Sequence, residues 1–130
     1  MNFVSTSIKW IMLVSGALTC TMIYTAIAPQ AALQSTFGET LDGPLASVVV
    51  RSWGVLITLV GASLIYGAFH PPVRALVLTI AGVSKLAFVA LVLSHGGRYL
   101  GQQAAIAIAL DSLWVVLFAW YLFTRRAAAA

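Results

Sequence analysis

The chain has 130 residues, 62% of them hydrophobic and 8% charged, a composition that excludes an ordinary soluble domain and points to one integral membrane domain. Its net charge of +4 comes from seven basic and three acidic residues, too thinly spread for a nucleic-acid surface and suited to anchoring membrane flanks. The single cysteine, Cys20, excludes an internal disulfide, a CxxC redox pair and a cysteine-built zinc site, and fits membrane packing as a small buried hydrophobe.

A short polar lead carrying Ser5, Ser7 and Lys9 precedes an apolar run over residues 10–28. That run has about the 20 residues needed to cross a hydrocarbon core roughly 30 Å thick. Ala26-Ile27-Ala28 resembles a signal cleavage site, but the run exceeds a signal core and Pro29 would follow the cut. It is predicted as a first transmembrane helix that Pro29 ends. Residues 30–47 then turn polar and hold Glu39 and Asp42. They are predicted as a long outer loop, with a short turn near 31–37, that is either a solvated linker or a lid over the helices.

The second span is predicted over 48–69, with Arg51 near its start and glycines at 54, 61 and 67. His70-Pro71-Pro72 stops it, and the short connection forces the third span, 75–94, to return beside it. His95-Gly96-Gly97-Arg98 makes a second tight connection before the fourth span, 101–123. The expected fold is therefore all-α, an antiparallel up-down bundle of four transmembrane helices, since strands in lipid would have to close a barrel. Lys9, Arg74, Arg125 and Arg126 gather at the end that carries the termini, against Arg98 and Arg51 at the other. The positive-inside rule then makes the termini cytoplasmic and suggests a bacterial inner membrane. Aromatic residues near both ends, among them Phe37 and Trp53, read as interfacial anchors.

Depth along the spans selects the candidate site. At about 1.5 Å per residue, Lys85 and Asp111 each lie roughly 15 Å into their spans from opposite ends, so their depths nearly coincide. An unpaired charge there costs about 2.5–3.5 kcal/mol on insertion scales, which favours Lys85 facing Asp111. Helical side chains lean toward their own N-terminus, so the two heads lean apart, and a bridging water or hydroxyl could complete the link. Arg51, about 5 Å below the outer boundary, is expected to join them and leave a surplus positive charge for an anionic ligand, or for Glu39 or Asp42. Ser15, Thr19, Thr58, Ser84 and Ser112 are candidates for a polar lining, and the constellation reads either as a ligand or proton site or as an ionic staple. Gly54 and Gly61 share a helix face and suit close packing. His70 and His95 fall at opposite ends, and no metal or cofactor site is predicted beyond a bound lipid or quinone.

No HExxH, phosphate loop, GxSxG or paired carboxylates appear, so catalysis is unsupported. The Arg51-Ser52-Trp53-Gly54 opening of the second span, followed by Gly61 and Gly67, resembles the Arg-x-x-Gly and spaced-glycine pattern of small DoxX-like four-helix membrane proteins. That resemblance implies a compact bundle, with some relatives tied to quinone-linked redox complexes, while the lone cysteine departs from any thiol redox role. Two functions fit. One is a non-enzymatic accessory or ligand-binding subunit, whose partners are membrane lipid, a second copy or a larger membrane complex. The other is a small oligomeric transporter or channel that uses the Asp and Lys for proton or anion coupling, against which stands the absence of any visibly broken span.

Overall fold

The computed structural model describes residues 3–95, 101 and 103–129, with the side chains of 6–95, 101 and 103–125. All regular structure in the described residues is helical: α1 (Phe3–Cys20), α2 (Ile23–Ile27), α3 (Pro29–Phe37), α4 (Pro44–Phe69), a 3-10 turn (Pro71–Val73), α5 (Arg74–Leu93) and α6 (Ala104–Ala129). Four segments are long and apolar enough to cross a membrane, Thr6–Ile27, Pro44–Phe69, Pro71–Leu93 and Ala104–Arg125. The expected connection at Gly96 to Tyr99, with Arg98, and the side chain of Arg126 lie outside the described residues.

Several boundaries differ from expectation: α1 begins at Phe3 rather than at 10, and α6 covers Ala104–Ala129 rather than 101–123. The first span is interrupted at Thr21 and Met22, where the backbone tightens to i→i−3 bonds, Thr21 N–H to Leu18 O at 3.2 Å and Met22 N–H to Thr19 O at 3.1 Å. Hydroxyls compete for backbone acceptors at this point: Thr19 Oγ1 donates to Ser15 O at 2.6 Å and Thr21 Oγ1 to Leu18 O at 2.5 Å. Pro29 does not close a helix leading into a loop. It opens α3 from the first-turn position, where its missing N–H costs no helical bond. The predicted long loop is thus helical over its first half. α3 stops at Gly38, whose φ of 75° is left-handed and whose N–H bonds Gln34 O at 2.9 Å. α4 then begins at Pro44, four residues before the predicted start.

α1 packs on α4, α4 on α5, α5 on α6, and α6 returns to α1. The α1–α4 seam is built on glycine. A Cβ placed on Gly16 would meet Gly61 O at 2.8 Å, one on Gly61 would meet Cys20 N at 2.8 Å, and one on Gly54 would meet Ala26 N at 2.7 Å. Only hydrogen fits there, so the two backbones touch, and Cys20 Sγ–H reaches Thr58 O at 3.7 Å across the seam. Contacts along it run in reverse chain order, with Gly67 at Met12, Gly61 at Gly16 and Gly54 at Thr25. Where α4 ends, Arg74 supplies the missing partners, donating from Nε to Gly67 O at 3.0 Å and from Nη2 to Ala68 O at 2.5 Å.

The main core fills the half nearer the termini, with Ile8, Met12, Leu64, Ala68, Leu78, Ala81, Trp114 and Phe118 all buried. At the far end a smaller cluster of Val89, Val92 and Ile108 joins α5 to α6. Phe37, Trp53 and Phe88 form an aromatic trio there, with ring centroids 6.3, 6.5 and 6.4 Å apart. Phe37 and Trp53 therefore pack α3 against α4 and α5, rather than acting simply as interfacial anchors.

Candidate functional site

Between the dense terminal half and α3 the helices leave a cavity of about 790 Å³. Helical geometry determines which residues reach it. On α5, Ser84, Lys85, Phe88 and Leu91 lie on one side of the helix, and Ala107, Leu110, Asp111 and Trp114 of α6, with Gln103 just before it, do the same. The α1–α2 segment contributes Leu18, Thr19, Met22 and Thr25, and α4 contributes Trp53, Ile57 and Val60. Ala32, Ser35 and Thr36 of α3 cover the far end. A second groove, about 630 Å³, lies on the opposite face of α5 and α6, with Gly82, Val83, Val115 and Ala119 along it and Arg125 at one end. It holds none of the buried charge, so the chemistry belongs to the larger cavity.

The charge pair sits in the cavity wall. Lys85 Nζ lies 3.1 Å from Asp111 Oδ1, with the Lys85 side chain 9% exposed and that of Asp111 20%. The expected pairing therefore forms directly, without a bridging group, because the long lysine stem reaches back over the offset between the two leaning heads. Lys85 also donates to Thr19 Oγ1 at 3.0 Å. Thr19 passes its own proton to Ser15 O at 2.6 Å, and the buried Ser15 hydroxyl donates to Met12 O at 3.3 Å. Three helices thus converge on one ammonium, α5 supplying it, α6 its counter-ion and α1 a neutral acceptor.

This arrangement fixes what the cavity can offer. Asp111 Oδ1 is occupied by Lys85. Among the described residues Oδ2 has no partner, and none of their unpartnered polar side-chain atoms is buried. The free oxygen is therefore accessible, in a residue that lines the cavity. Lys85 uses two of its three N–H donors. Among the described residues the lining carries one cation and one anion.

The other expected site residues are not brought together. Arg51 is exposed and absent from the cavity lining; it donates to Ala26 O at 2.8 Å and to Ser47 Oγ at 3.1 Å. It secures the end of the first span, one helix away from the pair, so Arg51 does not add the expected positive charge to the cavity. Glu39 and Asp42 are also exposed and outside the lining. They follow the left-handed Gly38 that turns the chain away after α3, and they supply no counter-charge to the cavity.

Of the five hydroxyl residues, Thr19 and Ser84 line the cavity, whereas Ser15, Thr58 and Ser112 do not. Ser15 is buried behind Thr19, and Thr58 is absorbed by its own helix, donating to Gly54 O at 2.7 Å. Ser112 fails for a geometric reason: one step along a helix turns about 100°, so it leaves the face that Asp111 shares with Ala107 and Trp114. Sequence reasoning missed Thr25, Ser35, Thr36, Gln103, Trp53 and Trp114 as lining residues. The only available signal for them was helical spacing, Gln103, Ala107, Asp111 and Trp114 falling three or four apart.

No group of three or more metal-ligating side chains occurs among the described residues. His70 lies against Tyr66, with ring centroids 3.9 Å apart, and His95 bonds Leu91 O at 2.8 Å. Protein-family models, curated proteins and solved structures were all compared with this chain, and none of them matches it.

Proposed function

We propose that the chain is a non-enzymatic integral membrane subunit, an antiparallel up-down four-helix bundle that holds a lipid or quinone-like amphiphile. One observation carries this reading: a largely apolar cavity of about 790 Å³ whose wall contains the paired Lys85 and Asp111. A ligand site of that kind combines apolar area for affinity with a few convergent polar groups for orientation. An intramembrane ion pair reached from a cavity is better suited to a ligand than one sealed in dry packing. The one cation and one anion of the described lining balance each other, which supports a neutral head rather than the anionic ligand that a surplus charge would have drawn.

The orientation follows from charge. Lys9, Arg74 and Arg125 gather at the terminal end, which supports cytoplasmic termini in a bacterial inner membrane, with the cavity in the outer half. Arg51 and Gly54, which carry the DoxX-like resemblance, both engage the end of the first span through Ala26, a structural use for that motif.

Native mass spectrometry of the protein extracted with its own lipids tests the proposal. One amphiphile adduct per chain is expected, retained in Arg51→Ala and lost in Leu110→Trp, which puts a bulkier side chain in the cavity wall beside Asp111. Adducts indifferent to Leu110→Trp refute the proposal. Labelling from either side of Cys20→Ser vesicles, with a cysteine added at Thr6 or at Ser35, tests the orientation: only the Ser35 position should react from outside.

The interruption at Thr21 and Met22 favours the second reading, an oligomeric transporter or channel, because a broken helix beside a charged pair is a common way to build an ion path. Against it, the terminal half is filled by apolar side chains, with Met12, Leu64 and Leu78 fully buried and Phe118 1% exposed. Proton or chloride flux in proteoliposomes that disappears with Asp111→Asn would favour that alternative.

A further inference from the structure

We infer that the amphiphile held in the cavity carries a hydroxyl group on its head, and that this hydroxyl donates to Asp111 Oδ2. The inference rests on the amphiphile reading above and narrows it to one chemical class. Its basis is the bonding left over once the protein has satisfied itself. Asp111 Oδ1 is taken by Lys85 at 3.1 Å, while Oδ2 is unpartnered and accessible in the cavity wall. An ionised carboxylate only accepts, so whatever meets Oδ2 must bring a proton to share. A bare carbonyl, an ether or an ester cannot supply that proton and so cannot be the group that meets Oδ2.

Two further constraints come from the neighbours. A cationic head such as an ammonium would donate to Oδ2, but Lys85 Nζ stands 3.1 Å from the same carboxylate and repels it. A carboxylate or phosphate head would find Lys85 but place its own charge against Asp111. Among the described residues, neither Arg51 nor a second basic residue lines the cavity to offset it. A neutral hydroxyl escapes both penalties: it donates to Oδ2, and its lone pairs can accept the one N–H that Lys85 leaves unused. Thr19 cannot compete for this role, since its hydroxyl already accepts from Lys85 and donates to Ser15 O. Trp53, Phe88 and Trp114 supply apolar walls, so an aromatic hydroxyl, a phenol with an alkyl tail, fits the site well.

The test is calorimetric titration of the full chain in lipid nanodiscs with chain-matched probes: 4-decylphenol, its methyl ether 4-decylanisole, 4-decylbenzoate and 4-decylanilinium. A hydrogen bond to a charged acceptor is commonly worth tenfold or more in affinity, so the phenol should bind at least about tenfold more tightly than the ether. The benzoate and anilinium should be weaker than the phenol. Leu110→Trp, which puts a bulkier side chain in the cavity wall beside Asp111, separates site binding from partition into the bilayer and should abolish the saturable heat for every probe. In Asp111→Asn the gap between phenol and ether should shrink; if that variant does not fold, the comparison of probes on the parent chain still decides.

Phenol and ether binding equally, both lost in Leu110→Trp, would overturn the hydroxyl inference and leave the amphiphile reading standing. No saturable binding by any probe would overturn both.

Discussion

Removal of one member of the Lys85–Asp111 pair tests the architecture most directly. Asp111→Leu deletes the carboxylate and leaves the Lys85 ammonium with Thr19 Oγ1 as its remaining protein partner, 3.0 Å away. Breaking a buried pair from one side costs about 3–5 kcal/mol, and an isolated charge in mid-span about 2.5–3.5 kcal/mol on insertion scales. The Asp111 side chain is 20% exposed and Thr19 keeps one bond, which selects the lower end, about 3 kcal/mol. Replacing both residues, Lys85→Met with Asp111→Leu, removes the stranded charge and should fall within about 1 kcal/mol of the parent. Reversible unfolding in mixed micelles of the parent, both single variants and the double variant closes a thermodynamic cycle around the pair. A cost below about 1 kcal/mol for Asp111→Leu, or a double variant as unstable as the sum of the singles, would show that the charges do not depend on each other.

The glycines should separate cleanly in the same assay. Gly61→Ala drives a Cβ to 2.8 Å from the backbones of Cys20 and Gly16 and should cost about 1–3 kcal/mol. Gly82→Ala meets nothing within 4 Å and should gain up to about 1 kcal/mol from helix propensity; equal effects at the two positions would contradict the seam. Arg51→Ala loses its bonds to Ala26 and Ser47 but, being exposed, should cost about 1 kcal/mol or less. It should leave probe affinity unchanged in titration calorimetry, and a large loss would return Arg51 to the site. Phe88→Leu breaks both ring contacts that tie α5 to Trp53 and Phe37, which should cost about 0.5–1.5 kcal/mol beyond lost area. Faster amide exchange in α3 should accompany it, and unchanged exchange there would show that the trio does not hold the cover.

The four apolar segments and the pairing of Lys85 with Asp111 were legible because both follow from one-dimensional quantities, segment length and depth. What depth cannot supply is azimuth. Arg51 lies at a suitable depth but on an exposed face, where Ala26 O answers it. Ser112 stands beside Asp111 in sequence and off the cavity face. The interruption at Thr21 and Met22 carries no proline or glycine; its signal is the run of hydroxyls at Thr19, Thr21 and Thr25, which reads equally well as polar lining. Pro29 was ambiguous for a related reason, since a proline that cannot continue one helix is well suited to start the next. The exchange between Lys85 and Thr19 joins residues 66 apart in the chain, and only the meeting of α1 with α5 in space reveals it.

The glycine seam decides which part of the molecule can yield. Where α1 and α4 meet backbone on backbone there is no rotamer between them to adjust, so that half behaves as a stiff plate. α5 and α6 are joined by side chains, the ion pair among them, and those can lengthen or turn. A guest larger than the cavity must therefore be accommodated by displacement of α6, and the same displacement stretches Lys85 away from Asp111. Swelling of the chamber and loosening of the Lys85–Asp111 contact are then a single mechanical coordinate, with the glycines as its fixed frame.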